Sequence, residues 1–141
     1  MFVLDTNVVS ELRKIRAGRS DKNVERWADS VDSEDLYLSA ITVQELEIGV
    51  LLAERRDPPQ GGIFRAWLEG HVLPAFAGRI LSVDPAVAQR SAALHVPDPN
   101  PFRDSLIAAT ALVHGMTIVT RNVSDFQSTG VPLLNPWDEQ H

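Results

Sequence analysis

The chain has 141 residues, of which 44% are hydrophobic and 23% charged, with no cysteine and a formal net charge of -6. That balance suits a globular domain with a real core, and it excludes disulfide scaffolds, thiol nucleophiles and cysteine–zinc sites. No apolar run approaches the roughly 20 residues that span a bilayer, and no basic segment leads into an apolar stretch at the N-terminus. A soluble, cytoplasmic protein with no membrane association is therefore expected. The acidic excess argues against broad electrostatic capture of nucleic acid but leaves room for a local basic patch.

The first stretch, Phe2-Val3-Leu4, is a short apolar run of β-favouring residues ending at Asp5, too short for a buried helix. Thr6 or Asn7 can cap a following helix with apolar positions Val8, Val9 and Leu12. Ala17–Asp21 reads as a loop, and a helix from about Lys22 to Val31 would bury Val24, Trp27, Ala28 and Val31. Leu36-Tyr37-Leu38 is a second strand. Thr42–Ala53 is a helix with Val43, Leu46, Val50 and Leu51 at helical spacing. Arg55–Gly62, with two prolines and two glycines, breaks it, and a further helix is expected from Ile63 to Phe76, paired with its predecessor as a hairpin.

Arg79–Val83 is a third strand. Asp84 and Pro85 are placed as N-cap and first residue of a helix reaching Leu94. Asn100 and Pro101 open a helix through His114, with Gly115 as its C-cap. Thr117–Thr120 is a fourth strand and Val131–Leu134 a fifth. Alternating strands and helices predict a single α/β domain over 1–141, a three-layer α/β/α architecture with a central parallel sheet of four or five strands.

Four acids stand near predicted strand ends or helix starts. Asp5 taken alone is a helix cap. Glu45 with Thr42 matches a capping box, in which the carboxylate would return to the Thr42 N–H. Asp104 is an acid in a first helical turn, where the helix dipole favours it. Asp125 lies in an Asn/Ser/Asp turn after a strand. Their coincidence at one edge of one sheet gives them a common meaning, because sites in such sheets lie outside the carboxyl ends of the strands. Two carboxylates about 4 Å apart repel by roughly 4 kcal/mol at an effective dielectric of 20. A cluster of them calls for protonation or bridging cations. Hard oxygen donors without His or Cys suit Mg²⁺ or Mn²⁺, ions that activate water and neutralise a phosphodiester transition state.

The segments Phe2–Asn7, Thr42–Leu46, Arg103–Ala108 and Thr120–Phe126, in that order and spacing, resemble the motifs of PIN-domain ribonucleases, and most of all the VapC and FitB type of toxin. The resemblance spans nearly the whole chain. It implies a Mg²⁺-dependent endoribonuclease, with Mn²⁺ able to substitute, whose acidic site is Asp5, Glu45, Asp104 and Asp125. Asp5 and Asp104 would be the main metal ligands. Glu45 would orient metal-bound water, and Asp125 would help a second or water-mediated metal. Thr120, Asn7 and Asn122 would support these acids by hydrogen bonds. It also implies an RNA substrate, a homodimer and a small antitoxin that blocks the site, often with a basic side chain.

Six of the thirteen basic residues fall between Arg13 and Arg26. Arg13, Lys14, Arg16 and Arg19 are the expected RNA-contacting rim beside Asp5, the plainer reading being a solvated helix face. The apolar helices around Leu51 and Leu68 are the expected dimer surface. His71, His95, His114 and His141 have no metal-ligand spacing, and Ser10, Ser39 and Ser105 have no His close in sequence. Trp27 and Trp67 read as core residues and Glu47 as a solvated charge. Two other functions remain open on the residues alone. One is a phospho-transfer domain using Asp5, disfavoured because Asn7 stands where a second acid is wanted and because Lys14 and Lys22 are the only lysines. The other is a non-catalytic PIN-like module whose acidic pocket holds a basic partner.

Overall fold

The computed structural model describes residues 1–139; His141, considered above as a metal ligand, lies outside them. Five strands form one sheet, all parallel, in the order β3-β2-β1-β4-β5. They are β1 (Phe2–Leu4), β2 (Leu36–Ser39), β3 (Ile80–Leu81), β4 (Thr117–Val119) and β5 (Leu133–Leu134). The chain lays down β1, β2 and β3 in one direction, then crosses back to place β4 on the other side of β1. Leu4 pairs with Val119 across that reversal, and the Asp5 N–H continues the ladder to the Val119 carbonyl at 2.9 Å.

Alternation along the strands builds two cores, one on each face of the sheet. Leu4, Leu38 and Val119 pack with Val8, Val9, Trp27, Leu46, Val50, Leu68 and Val72. Val3 and Ile118 point the other way and pack with Ile107, Ala108, Ala111 and Phe126. The first face is covered by α1 (Thr6–Arg13), α2 (Lys22–Ser30), α3 (Ala40–Arg56) and α4 (Pro58–Trp67), the second by α7 (Phe102–His114). The remaining helices are a three-residue α5 (Leu73–Ala75) and α6 (Pro85–Ala93). The three-layer expectation holds. No helix among the described residues is long and apolar enough to cross a membrane.

Several local expectations are corrected. Neither Thr6 nor Asn7 caps α1; Asp5 does, its Oδ1 accepting from the Thr6 N–H at 2.8 Å. The helix expected from Thr42 begins at Ala40, because Ser39 supplies the cap by accepting from the Ile41 N–H. The break expected over Arg55–Gly62 is only Asp57, which caps α4. Pro58 and Pro59 fill the first helical positions, where a missing N–H costs nothing. Gly61 is obligatory there: a Cβ would lie 2.3 Å from the Glu54 Cα, so the α3–α4 hairpin closes backbone against backbone. The helix expected to run from Ile63 to Phe76 is α4, then a π-helical turn over Leu68–Val72, then α5.

Glu47 is not a free solvated charge. It holds Arg65 through two 2.7 Å hydrogen bonds, with Glu54 at 2.9 Å and Glu69 at 3.3 Å on the same guanidinium. Leu68 is fully buried and leaves the expected dimer surface, whereas Leu51, Leu52 and Ile63 are each more than half exposed.

Candidate active site at the strand-order reversal

A crevice forms where strand order reverses, because the connections leave β1 and β4 in opposite directions. Asp5 leaves the end of β1 and Thr120 the end of β4, and their side chains meet at 2.8 Å, with Thr120 Oγ1 donating to Asp5 Oδ2. Asn7 Nδ2 donates to the same oxygen and stands as far from Thr120 Oγ1, 3.4 Å in each case. The Asn122 N–H donates to Thr120 Oγ1 at 3.0 Å, so Asn122 enters through its backbone. Asp5 is thus held on both oxygens while being only 8% exposed.

Glu45 arrives from the second turn of α3. Its carboxylate does not return to Thr42, which lies inside the helix, so the capping-box reading fails. Instead Glu45 Oε1 accepts from Thr6 Oγ1 at 2.7 Å. Arg103, from the first turn of α7, brings Nη1 to 3.6 Å from Glu45 Oε2. Thr6 therefore ties the acid of α3 to the helix capped by Asp5, across 39 positions of sequence. Thr42 is left with a buried hydroxyl that has no hydrogen-bond partner among the described residues.

The electrostatics register the convergence. Burial pushes Asp5 above its ordinary value; the Thr120 hydroxyl and the Thr6 N–H pull it back, and the charges of Glu45 and Asp125 push it further up. Burial also raises Asp104, to about 6, helped by the charges of Asp5, Asp125 and Glu45 and opposed by Arg103. Asp125 ends a 3₁₀ turn over Val123–Asp125 and is exposed, close enough to perturb both aspartates. Asp104 thus feels the charges of all three other predicted acids, and Asp5 those of Glu45 and Asp125.

Among the described residues, no three acids or histidines form a ready-made metal cage. The donor set nevertheless fits a hard cation: all-oxygen and anionic, with Asp5 and Asp104 both raised by burial and by neighbouring carboxylates. Mg²⁺ is commonly held by one or two carboxylates with water and substrate phosphate completing the shell. Asp5 and Asp104 are the pair that would hold it.

The expected basic rim divides. Arg13 lies in a groove with Thr6, Ser10, Glu45, Phe64 and Trp67, its guanidinium 4.8 Å from the Phe64 ring centre. Arg16 lines an adjoining groove with His71 and Phe76, Lys14 pairs with Glu11 at 3.3 Å, and Arg19 follows in the exposed loop. The sequence reading also missed a serine–histidine contact: His95 Nε2 lies 3.0 Å from Ser105 Oγ. Ser105 is fully buried, and His95 Nδ1 accepts from the Asn100 N–H. The pair therefore pins the loop before α7, and no attacking hydroxyl is exposed.

A parallel α/β sheet with acids gathered at its strand-order reversal defines the class, and the chain belongs to the PIN domain family, whose model matches residues 2–131. Within that family it resembles toxins. The VapC ribonuclease Y4jK of Sinorhizobium fredii is 43% identical over 98% of this chain and 99% of its own length. The toxin FitB of Neisseria gonorrhoeae is 41% identical over 99% of this chain and all of its own. Among solved structures, FitAB bound to a DNA fragment superposes with a TM-score of 0.88 at 38% identity, covering 100% of this chain and 99% of that one. The Neisseria FitAcB crystal structure gives 0.86 at 39% identity, over 97% and 99%.

Proposed function

We propose that the chain is the toxin of a toxin–antitoxin pair, acting in the cytoplasm as a Mg²⁺-dependent endoribonuclease. The observation that carries this reading is the gathering of acids at the strand-order reversal, where Thr120 grips Asp5, Thr6 ties Glu45 to the helix that Asp5 caps, and the charges of Asp5, Asp125 and Glu45 add to burial in raising Asp104. A cluster of like charges on rigid elements is unfavourable until a cation enters it. Asp5 and Asp104 would hold the divalent cation, which when bound would lower the pKa of water and offset charge on the phosphodiester; Mn²⁺ would substitute. Thr120 and the Thr6 N–H fix both oxygens of Asp5, so its carboxylate needs no reorientation when substrate arrives. Glu45, held by the Thr6 hydroxyl on one oxygen and by Arg103 on the other, orients the attacking water. Asp125, exposed at the rim, supports a second or water-mediated ion.

An antitoxin partner is supported by a structural relative, 26% identical, solved as a toxin–antitoxin complex from Klebsiella pneumoniae, and a basic side chain from it would suit this acidic pocket. Homodimer formation is supported by the exposed Ile48, Leu51, Leu52 and Ile63 on the α3–α4 hairpin. The test is cleavage of a mixed cellular RNA pool by partner-free protein with Mg²⁺ or Mn²⁺, beside EDTA and Asp104→Asn. Metal-dependent cleavage lost in the variant is the expected result; equal cleavage in EDTA or in Asp104→Asn refutes it.

A second reading, a non-catalytic module that holds a basic partner through the same acids, has one observation in its favour. No three acids among the described residues are preset around a point. Metal-independent capture of a basic peptide, with no change in melting temperature on adding Mn²⁺, would establish that reading instead.

A further inference from the structure

An acidic cluster repels the substrate it is meant to cut. The chain carries 13 Lys and Arg against 19 Asp and Glu, so a cation aimed at the RNA backbone has to be local and kept from pairing with the acids around it. Most arginines beside acids here are committed. Arg103 pairs with Glu45, Arg65 with three glutamates, and Arg79 lies 3.9 Å from Glu34. Arg121 is exposed and makes no ion pair among the described residues, although it directly follows Thr120, the residue that grips Asp5.

Its position is set twice. Its N–H donates to Asn7 Oδ1 at 3.3 Å, and Asn7 in turn donates to Asp5 Oδ2. Its guanidinium lies over the ring of Trp137, 5.2 Å from the centroid. Trp137 is itself fastened: its carbonyl accepts from Asn23 Nδ2 at 2.7 Å and its N–H donates to Asn135 Oδ1 at 2.9 Å. A guanidinium placed over an aromatic ring keeps N–H donors for a phosphate, which it can grip through two parallel hydrogen bonds. Restriction by the indole also removes side-chain entropy that would otherwise be lost on binding.

We propose that Arg121, laid on Trp137, is a phosphate-binding residue for the RNA backbone beside the acidic site, with Trp137 as its positioning residue. The proposal rests on the nuclease reading above. Its ligand is a backbone phosphate of single-stranded RNA next to the one being cut. It adds to the expected rim of Arg13, Lys14, Arg16 and Arg19 a cation tethered to the catalytic residues themselves.

The test is binding of a fluorescent, mixed-sequence single-stranded RNA to the full chain, titrated over a range of salt. Ca²⁺ replaces Mg²⁺, and the intactness of the RNA is checked on a gel. Each neutralised phosphate on a single strand contributes about 0.7 to the slope of log K against log salt. Arg121→Gln is expected to weaken binding several-fold and to lower the slope by about 0.7. Arg121→Lys is expected to keep the slope with weaker binding. Trp137→Leu is expected to weaken binding with the slope retained, because the charge remains and only its placement is lost. Unchanged affinity and slope in Arg121→Gln, while the wild type binds and cleaves RNA, overturns the proposal and leaves the nuclease reading standing. So does a change in oligomeric state with RNA binding unaffected, which would assign Arg121 to a protein carboxylate. A wild type that neither binds RNA nor cleaves it with Mg²⁺ or Mn²⁺ removes the nuclease reading, and this proposal with it. Melting temperatures of all three variants separate loss of contact from loss of fold.

Discussion

Asp104→Asn is expected to make the metal-free protein more stable at neutral pH while abolishing cleavage. Asp104 is raised from 3.8 to about 6, first by burial and then by its neighbours' charges. Between those values the folded chain binds more protons than the unfolded one. Stability is therefore fully present below about 3.8 and is lost as pH rises through about 6, the reverse of a salt-bridged aspartate. About two units at roughly 1.4 kcal/mol each set a ceiling near 3 kcal/mol. Asp104 is only half-buried, so water screens part of that, and about 1.5 kcal/mol is the reasonable figure. Against it stands the helix dipole, which favours a carboxylate in the first turn by about 0.5 kcal/mol. The net gain of about 1 kcal/mol corresponds to roughly 3 to 4 °C in melting temperature for a domain of this size. The assay is thermal unfolding of both proteins in EDTA from neutral pH down to about pH 4. The variant should melt higher at neutral pH, and the gap should begin to close as pH falls through about 6 and vanish near 3.8. A variant equal to or less stable than wild type at neutral pH, or a gap independent of pH, would refute the claim that burial and neighbouring charges raise Asp104.

Three further changes follow from single contacts. Thr120→Val keeps the shape of a fully buried residue but removes the 2.8 Å bond to Asp5; cleavage should fall at least tenfold, the change produced by about 1.4 kcal/mol, and more Mn²⁺ should be needed for half-maximal rate. Thr42→Val deletes a buried hydroxyl without a partner; the expected gain is about 1 kcal/mol in urea unfolding, with cleavage unchanged, and a loss would mean that the hydroxyl is satisfied after all. Gly61→Ala forces a methyl to within 2.3 Å of the Glu54 backbone; about 3 kcal/mol should be lost as the α3–α4 hairpin opens, and an unchanged midpoint would show that the hairpin is looser than described.

Much of this molecule is legible in order along the chain because its signals are local. Short apolar runs mark the strands, Asp84-Pro85 starts α6, and Gly115, with φ of 66°, stops α7. Where the cap differs from the expected one, a competing neighbour takes the N–H. Ser39 lies one turn before Thr42, and its hydroxyl reaches the first free N–H, so Thr42 is drawn inside the helix and Glu45 is released from capping. Asp5 shows the opposite overlap, being both the cap and the acid of the site. The break before α4 is shorter than expected because prolines and glycines, which usually mean loop, here serve the helix: Pro58 and Pro59 begin it and Gly61 lets it pack backbone against backbone with Glu54.

By itself the sequence determined the alternation of elements, the parallel sheet and the four acids at one edge, because each depends on residues a few positions apart. The tertiary structure decided what those acids touch. Strand order brings Thr120 to Asp5 across 115 positions, Thr6 to Glu45 across 39, and Asn23 to the Trp137 carbonyl across 114. No periodicity encodes such pairs. They arise because the reversal at β1 and β4 brings distant strand ends into one crevice, where burial gives each hydroxyl and carboxylate its partner.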